Sequence, residues 1–587
     1  MNAARGACCS LFLLITTVLW QPALGDDLQA LFDKEWEFRL REFPMLATYV
    51  GRNEYDDRLA RVTAQEQLRR AEFWRGILGE LETLEQRSAW SRTDQINAAL
   101  FRRQLRNFIA DIEFGDYQIP ILVDEGFHTA FARLPGEMPF RNGADYERYL
   151  ERLQDWPRYV LEHIANMRAG LERGMTQPRV ILEGFDSGIA AHIVADPDDS
   201  AYYAPLRQMP PSISAAEAER LRQAARTAIS DSVIPGYQAF LDFMRDEYLP
   251  GARTTLGAFA LPNGRAYYAH KIRQFTTLDL SADEIHQIGL DEVARIRLEM
   301  QAIIDATGFD GSFADFLAFL RNDPRFYAET PEDLLKEAAF IAKTMDGKLP
   351  ALFNTLPRTP YSVAPVPDDI APKYTGGRYV PPAAGSNQPG YYWVNTYALD
   401  SRPLYTLPAL TLHEAVPGHH LQWALAIEQE AQPDFRQYDY ISAYGEGWGL
   451  YSEWLGVESG IYEDPYDDFG RLTYEMWRAC RLVVDTGLHD KGWTRDQALE
   501  YLAGNTALSL HEVTTETDRY ISWPGQALSY KLGELKIKAL RRRAEQKLGA
   551  NFDLREFHDT VLASGSVTLP ILELLIDDYI EGELGQR

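Results

Sequence analysis

The chain is poor in cysteine, in positive charge, in long apolar runs and in histidine, and each shortage excludes something. It has 3 cysteines in 587 residues. Cys8 and Cys9 fall in the leader described below, so Cys480 stands alone and an intramolecular disulfide is excluded. Cys480 lies in the helical pattern Met476–Leu482 and reads as a small buried side chain rather than a nucleophile. Lys and Arg number 59 against 86 Asp and Glu, a formal net charge of −27. That balance opposes binding to nucleic acid or to an anionic membrane. No run beyond the leader approaches the roughly 20 apolar residues of a membrane helix, so no membrane insertion is expected. Ser/Gly linkers, repeats and low-complexity segments are also missing. Residues 26–587 therefore read as one large helical unit with two lobes and a boundary near 270.

The first 25 residues have the features of an export leader. Arg5 supplies the positive end, Leu11–Trp20 the short apolar run, and Ala23-Leu24-Gly25 a small-x-small cleavage site. The two leader cysteines precede the apolar run, which is not where a lipid-bearing cysteine sits. The expected location is the periplasm or the medium.

Histidine is scarce, 11 in all, yet three stand in Leu410-Thr411-Leu412-His413-Glu414-Ala415-Val416-Pro417-Gly418-His419-His420. Tyr444-Gly445-Glu446-Gly447-Trp448-Gly449 follows. Two imidazoles, one carboxylate ligand and a free carboxylate are the equipment of a catalytic zinc site, which keeps one position open for water. The metal lowers the pKa of that water and polarises a carbonyl, and a neighbouring carboxylate takes the proton. In the common HExxH motif the histidines share one helix face. Here two residues are added, and six steps along a regular helix would turn His419 roughly 120° from His413. Pro417 breaks such a helix and Gly418 permits an unusual turn, so a bulge can return a later histidine to the metal. Whether that is His419 or His420 stays open. Glu446 suits a second helix packed antiparallel to the first. Glu453 shares nearly the same face, either supporting a ligating histidine or lying in solvent.

Helical periodicity dominates the chain. Expected helices are Asp27–Arg41, Ala64–Gln86, Asp94–Ile112, Ala144–Arg173, Ala215–Tyr248, Ala282–Thr307, Pro331–Leu356, Leu404–Glu430, Ser442–Ser459, Asp468–Lys491, Ala527–Leu548 and Leu554–Leu562. Ser281 and Glu284 form a capping box. A proline- and glycine-rich stretch from Arg358 to Gly390 leads into Tyr391-Tyr392-Trp393-Val394-Asn395, which favours a strand whose edge can pair with an extended peptide. Tyr392, Asn395 and His420 are candidate substrate contacts. Arg478, Arg481 and Asp485 share a helix. Arg481 can pair with Asp485, or an arginine there, like Arg402, can hold a substrate carboxylate; an internal salt-bridge network is the preferred account. His511-Glu512 and His286 are expected to be structural.

The histidine and glutamate segments resemble the bacterial domain of unknown function 885 family and, more distantly, zinc oligopeptidases and carboxypeptidases of the thimet oligopeptidase and Taq carboxypeptidase type. Ala47–Gly51 with Tyr55–Leu59, Thr276–His286 and Trp523–Tyr530 carry the resemblance across nearly the whole chain. It implies a mainly α, metallopeptidase-like fold with a small β-sheet beside the active-site cleft. It also implies His413, His419 and Glu446 as metal ligands, Glu414 as general base, and a tyrosine that donates to the oxyanion, Tyr530 with Tyr520 second.

The expected function is a zinc peptidase with one Zn2+ per chain, acting on short peptides through a metal-activated water. A zinc amidase with a non-peptide or modified amino-acid substrate is the competing reading. A non-catalytic zinc-containing binding protein is a third, disfavoured because a binding site needs no Glu414.

Overall fold

In the computed structural model the described residues are 24–585, without 88, 124, 369, 383–387, 430 and 431. The leader, up to residue 23, lies outside them. The protein is mainly helical with one three-stranded sheet. One buried apolar cluster runs from Leu28 to Ile580, and a smaller one centres on Tyr268, Ile272, Ile285 and Leu532. Residue 270, the expected boundary, falls inside helix Gly264–Thr276. Among the described residues no helix is long and apolar enough to cross a membrane.

Local chemistry explains where helices start and stop. Helix Ala282–Thr307 begins at the Ser281–Glu284 capping box and ends at Gly308 in the left-handed region, as propensity requires. Ala144–Arg173 is two helices, Gly143–Gln154 and Trp156–Arg173. Pro157 sits in the first turn of the second, where its missing N–H does no harm. Ala215–Tyr248 runs on through π turns at Ile229–Val233 and Met244–Tyr248, each followed by a proline, Pro235 or Pro250.

Four helices frame the site. Leu407–Glu414, the histidine helix, lies against Ser442–Glu458, the glutamate helix. The glutamate helix packs along Ser529–Leu548, the tyrosine helix. Pro465–His489, the arginine helix, is buried from Phe469 to its end and packs along Ala282–Thr307. The glycines of the glutamate helix make these approaches possible. A Cβ on Gly447 would lie 2.5 Å from Gly533 Cα of the tyrosine helix, and one on Gly533 would lie 2.0 Å from the Ala443 carbonyl oxygen.

Strand β1 (Tyr361–Pro365) pairs parallel to β3 (Gly390–Val394), and β2 (Gly377–Val380) pairs antiparallel to β3 on its other side. The aromatic strand expected to offer an edge is therefore the central one. Its alternation of buried and half-buried residues fits a strand covered on both flanks. The two edges belong to β1 and β2.

Candidate metal centre

The histidine helix ends at Glu414, and a new helix starts at His419. Between them Ala415 and Gly418 adopt non-helical angles (ψ −103° and −130°). The Gly418 N–H reaches back to the Leu412 carbonyl (3.0 Å), and the Pro417 carbonyl accepts from Trp448 Nε1 (2.8 Å). Gly418 is required here, because a Cβ would lie 1.9 Å from the His413 carbonyl oxygen. The turn returns the second imidazole to the first: the His413 and His419 rings lie 4.7 Å apart with their planes at 86°.

Glu446 closes the group. Its Oε2 lies 3.4 Å from His413 Nε2 and 3.3 Å from His419 Nε2, and one ligand atom from each of the three residues falls within 4.8 Å of the others. For a tetrahedral ion with bonds of about 2.0–2.1 Å, ligand atoms sit roughly 3.3 Å apart. The donor set and spacing therefore fit zinc. Behind His413, Glu453 Oε1 accepts from Nδ1 at 2.7 Å, leaving the Nε2 lone pair for a metal. Tyr440 Oη donates to Glu446 Oε1 at 3.0 Å, which turns Oε2 toward the histidines. Burial disfavours charge on His413, but hydrogen bonds to Glu446 and Glu453 outweigh it and lift its pKa to about 10. Burial works against the Glu446 carboxylate too, yet the two histidines hold it well below the ordinary range. The pocket thus favours positive charge, as a cation site does.

His420 points elsewhere. Its Nδ1 meets Tyr379 Oη at 3.1 Å and its ring packs on Tyr361, 4.6 Å between centroids. Burial pulls its pKa to about 4, so it is neutral at pH 7. Glu414 projects beside the cluster, where the Tyr379 N–H on the open edge of β2 donates to its Oε2 at 2.8 Å. Its Oε1 takes no hydrogen bond among the described residues.

Tyr530 stacks near His413, centroids 6.3 Å apart, and its hydroxyl accepts from Arg519 Nη2 at 3.4 Å. Tyr520 does not reach the cluster; its hydroxyl is taken by Trp477 Nε1 (2.7 Å) and Arg481 Nε (2.8 Å).

A family model described as "Bacterial protein of unknown function (DUF885)" matches residues 44–576. The chain belongs to the DUF885 family. Among solved structures it is similar to "the putative lipoprotein from Colwellia psychrerythraea", with 29% identity and a TM-score of 0.87 over 95% of this chain and 100% of that one. A "putative lipoprotein of unknown function from Shewanella oneidensis" aligns at 19% identity and TM-score 0.68 over the same shares, a likeness of fold alone. No curated protein matches the chain.

The other residues singled out in this DUF885 chain fall into two groups. Tyr392 is fully buried, its hydroxyl 3.2 Å from Thr411 Oγ1, so it supports the histidine helix from below and offers no surface to a substrate. Asn395 is also fully buried; its amide donates to the carbonyls of Ala371, Tyr374 and Thr375, each at 3.0 Å. Arg481 pairs with Glu516 (2.7 Å) and not with Asp485, which accepts from Tyr268 Oη (2.5 Å) and from the Gly525 N–H. The reason is that Asp485 faces the turn at Gly525 and Arg481 faces helix Leu510–Ser522. His286 meets Thr486 Oγ1 at 2.8 Å. Arg402 is different. It pairs with Glu512 at 3.3 Å, its Nη2 has no partner among the described residues, and it lines a small cleft with Leu410 and Tyr474. Leu410 lies one turn before Glu414 on the histidine helix.

Tyr379, Tyr440 and Arg519 hold the site, and no local pattern in the DUF885 sequence marks them. Tyr440 had one available signal, its place just before the Tyr444–Glu453 segment. Thr48 and Asp56, in the family segments near the N-terminus, are clamped together with Arg152, which donates to Thr48 Oγ1 at 2.9 Å and meets Asp56 at 3.4 Å. That segment is structural.

Proposed function

We propose that this DUF885 member is a zinc-dependent peptidase acting on short peptides outside the cytoplasm. The observation that carries the proposal is the convergence of His413, His419 and Glu446 with Glu414 alongside and not among them. His413 Nε2, His419 Nε2 and Glu446 Oε2 would hold the ion. Zinc, when bound, supplies Lewis acidity toward a water and a substrate carbonyl. The rest is done by the chain. Glu453 fixes the tautomer of His413. The β2 N–H of Tyr379 holds one oxygen of Glu414, so the other is aimed and free to take a proton and pass it to the leaving amine. The open edge of β2 offers main-chain pairing to an extended peptide beside that carboxylate. Tyr530, steadied by Arg519, is the donor for an oxyanion, and Arg402 in its cleft is the remaining substrate contact. Export is supported by the description of the Colwellia relative as a lipoprotein.

The test is Glu414→Gln. The amide keeps the shape and the Tyr379 hydrogen bond and loses the basicity. Hydrolysis of a mixed peptide library, read by mass spectrometry, should fall by about 10²–10⁴-fold while about one zinc per chain is retained. Unchanged hydrolysis, or a zinc-loaded wild type that cuts no peptide, would refute the reading; cleavage of modified amino-acid amides alone would favour the amidase.

A further inference from the structure

Around Tyr530 the site carries an excess of positive charge, opposite in sign to the chain as a whole (−27). Arg478 and Arg481 lie 5.8 and 4.2 Å from the Tyr530 ring, and Arg519 Nη2 reaches its hydroxyl. Two carboxylates serve these three guanidiniums. Glu453, already bonded to His413, meets Arg478 at 3.4 Å, and Glu516 is shared by Arg481 and Arg519. Glu512, one turn before Glu516, is taken by Arg402.

Of the three, Arg519 is the accessible one. Its side chain is 20% exposed, against 5% for Arg478 and 2% for Arg481. Arg481 takes Glu516 Oε2 at 2.7 Å, which leaves Arg519 Nη1 two contacts of 3.3 Å to that carboxylate. These are longer than the about 2.7–2.9 Å of a full charge-assisted bond. Arg519 Nη2 donates to Gln526 at 2.8 Å, and its Nε takes no hydrogen bond among the described residues. An accessible guanidinium with a weak counter-charge suits an anion.

Spacing narrows which anion. Arg519 Nη2 stands 3.4 Å from Tyr530 Oη, and an oxyanion accepting from that hydroxyl lies about 2.7 Å from it, so guanidinium and oxyanion are within about 6 Å. A chain advances by at most about 3.6 Å per residue, so the carboxylate of the first residue after the cut falls within reach. A peptide continuing past that residue would bring a neutral amide to the same place.

We propose, resting on the peptidase reading above, that Arg519 holds the C-terminal α-carboxylate of the substrate and that single residues are removed from that end. Water adds across the last peptide bond, and the leaving amine takes the proton passed by Glu414. The products are a peptide one residue shorter and a free amino acid.

Two mixed peptide libraries of the same sequences, one with free and one with amidated C-termini, test this on the zinc-loaded full chain, with cut sites read by mass spectrometry. Free-acid peptides should lose one terminal residue. The amidated ones should be cut at least about 10-fold more slowly, a loss typical of one charge-assisted hydrogen bond. Arg519→Gln should raise KM for the free acids and bring the two libraries to equal rates. Tyr530→Phe should slow both alike and keep their ratio. If Arg519 served only to steady Tyr530, Arg519→Gln would do the same, and that result overturns the proposal. Calorimetry needs no turnover: the chelator-treated chain should bind acetyl-alanyl-leucine at least about 10-fold more tightly than its amide, and Arg519→Gln should erase the difference. Circular dichroism checks that the variants fold, and the wild-type comparisons stand without them. Mostly internal cuts, equal cutting of both libraries by the wild type, equal binding of acid and amide, or a preference for amidated peptides ending in an acidic residue overturns the proposal and leaves the peptidase reading. Cutting of neither library removes both.

Discussion

Gly449→Ala separates the metal centre from the helix that carries it. Gly449 lies between Glu446 and Glu453 on the glutamate helix, under the His413 ring. A Cβ there would stand 2.6 Å from Cε1 and 2.7 Å from Nε2 of that ring. Carbon atoms in contact prefer about 3.5–4.0 Å, so the imidazole must retreat by about 1 Å. That retreat is half the length of a Zn–N bond of about 2.0–2.1 Å, and it also pulls Nδ1 from Glu453, now at 2.7 Å. Loss of an outer hydrogen-bond partner alone costs about 10–100-fold in metal affinity; displacing the ligand itself should cost at least about 100-fold. The helix responds in the opposite sense, since alanine exceeds glycine by about 1 kcal/mol in a helix interior. Chelator competition should therefore show zinc affinity falling steeply, while thermal unfolding in excess chelator shows little loss of stability. Gly76→Ala, where a Cβ meets nothing within 4 Å, is the control: it should leave zinc affinity unchanged. Wild-type zinc affinity in Gly449→Ala would refute the placement of the imidazole, and with it the ligand geometry.

His419→Phe should abolish stoichiometric zinc, whereas His420→Phe should retain it, by elemental analysis of purified protein; the opposite pattern would make His420 the ligand. Glu453→Gln should weaken zinc binding by about 10–100-fold with the metal still bound at saturating zinc, as chelator competition can measure. The pH dependence of stability should be set partly by His128, His163, His489 and His558, whose pKa values burial depresses to about 3. A histidine depressed when folded contributes stability above its unfolded pKa of about 6.5, which is lost as pH falls toward 3. Each should cost up to about 2 kcal/mol by pH 5, so urea midpoints should fall steeply between pH 6.5 and 4. A flat profile would count against neutral burial.

The sequence made the convergence of His413, His419 and Glu446 legible for a physical reason. Histidine is rare in this chain, and a Pro-Gly break between two of them has few structural uses. Helix Ala282–Thr307 was legible to the residue because the capping box marks one end and Gly308 the other. Helix Arg495–Asn505 went unread although Thr494 and Gln497 form a capping box; its apolar residues give no clear periodicity. Helices Gly264–Thr276, Leu510–Ser522 and Leu569–Gly585 were missed as well. Strand pairing was out of reach, because β3 becomes central only through partners that precede it in the chain. The hold of Tyr379 on Glu414 follows from that pairing and was equally hidden. Arg481 looked free to pair within its helix, and only the packing of helix Leu510–Ser522 against it brings in Glu516.

The close approach of Gly447 and Gly533 also fixes when the centre can exist. His413, His419 and Glu446 are all in place in the chain well before Gly533 is made. Yet the glutamate helix is seated by the tyrosine helix, whose backbone it touches at that crossing. A nascent or C-terminally cut chain would carry all three ligands without the wall that aligns them. On the proposed zinc reading, metal capture waits until the tyrosine helix has been made, so that a nascent chain does not carry an open hydrolytic centre.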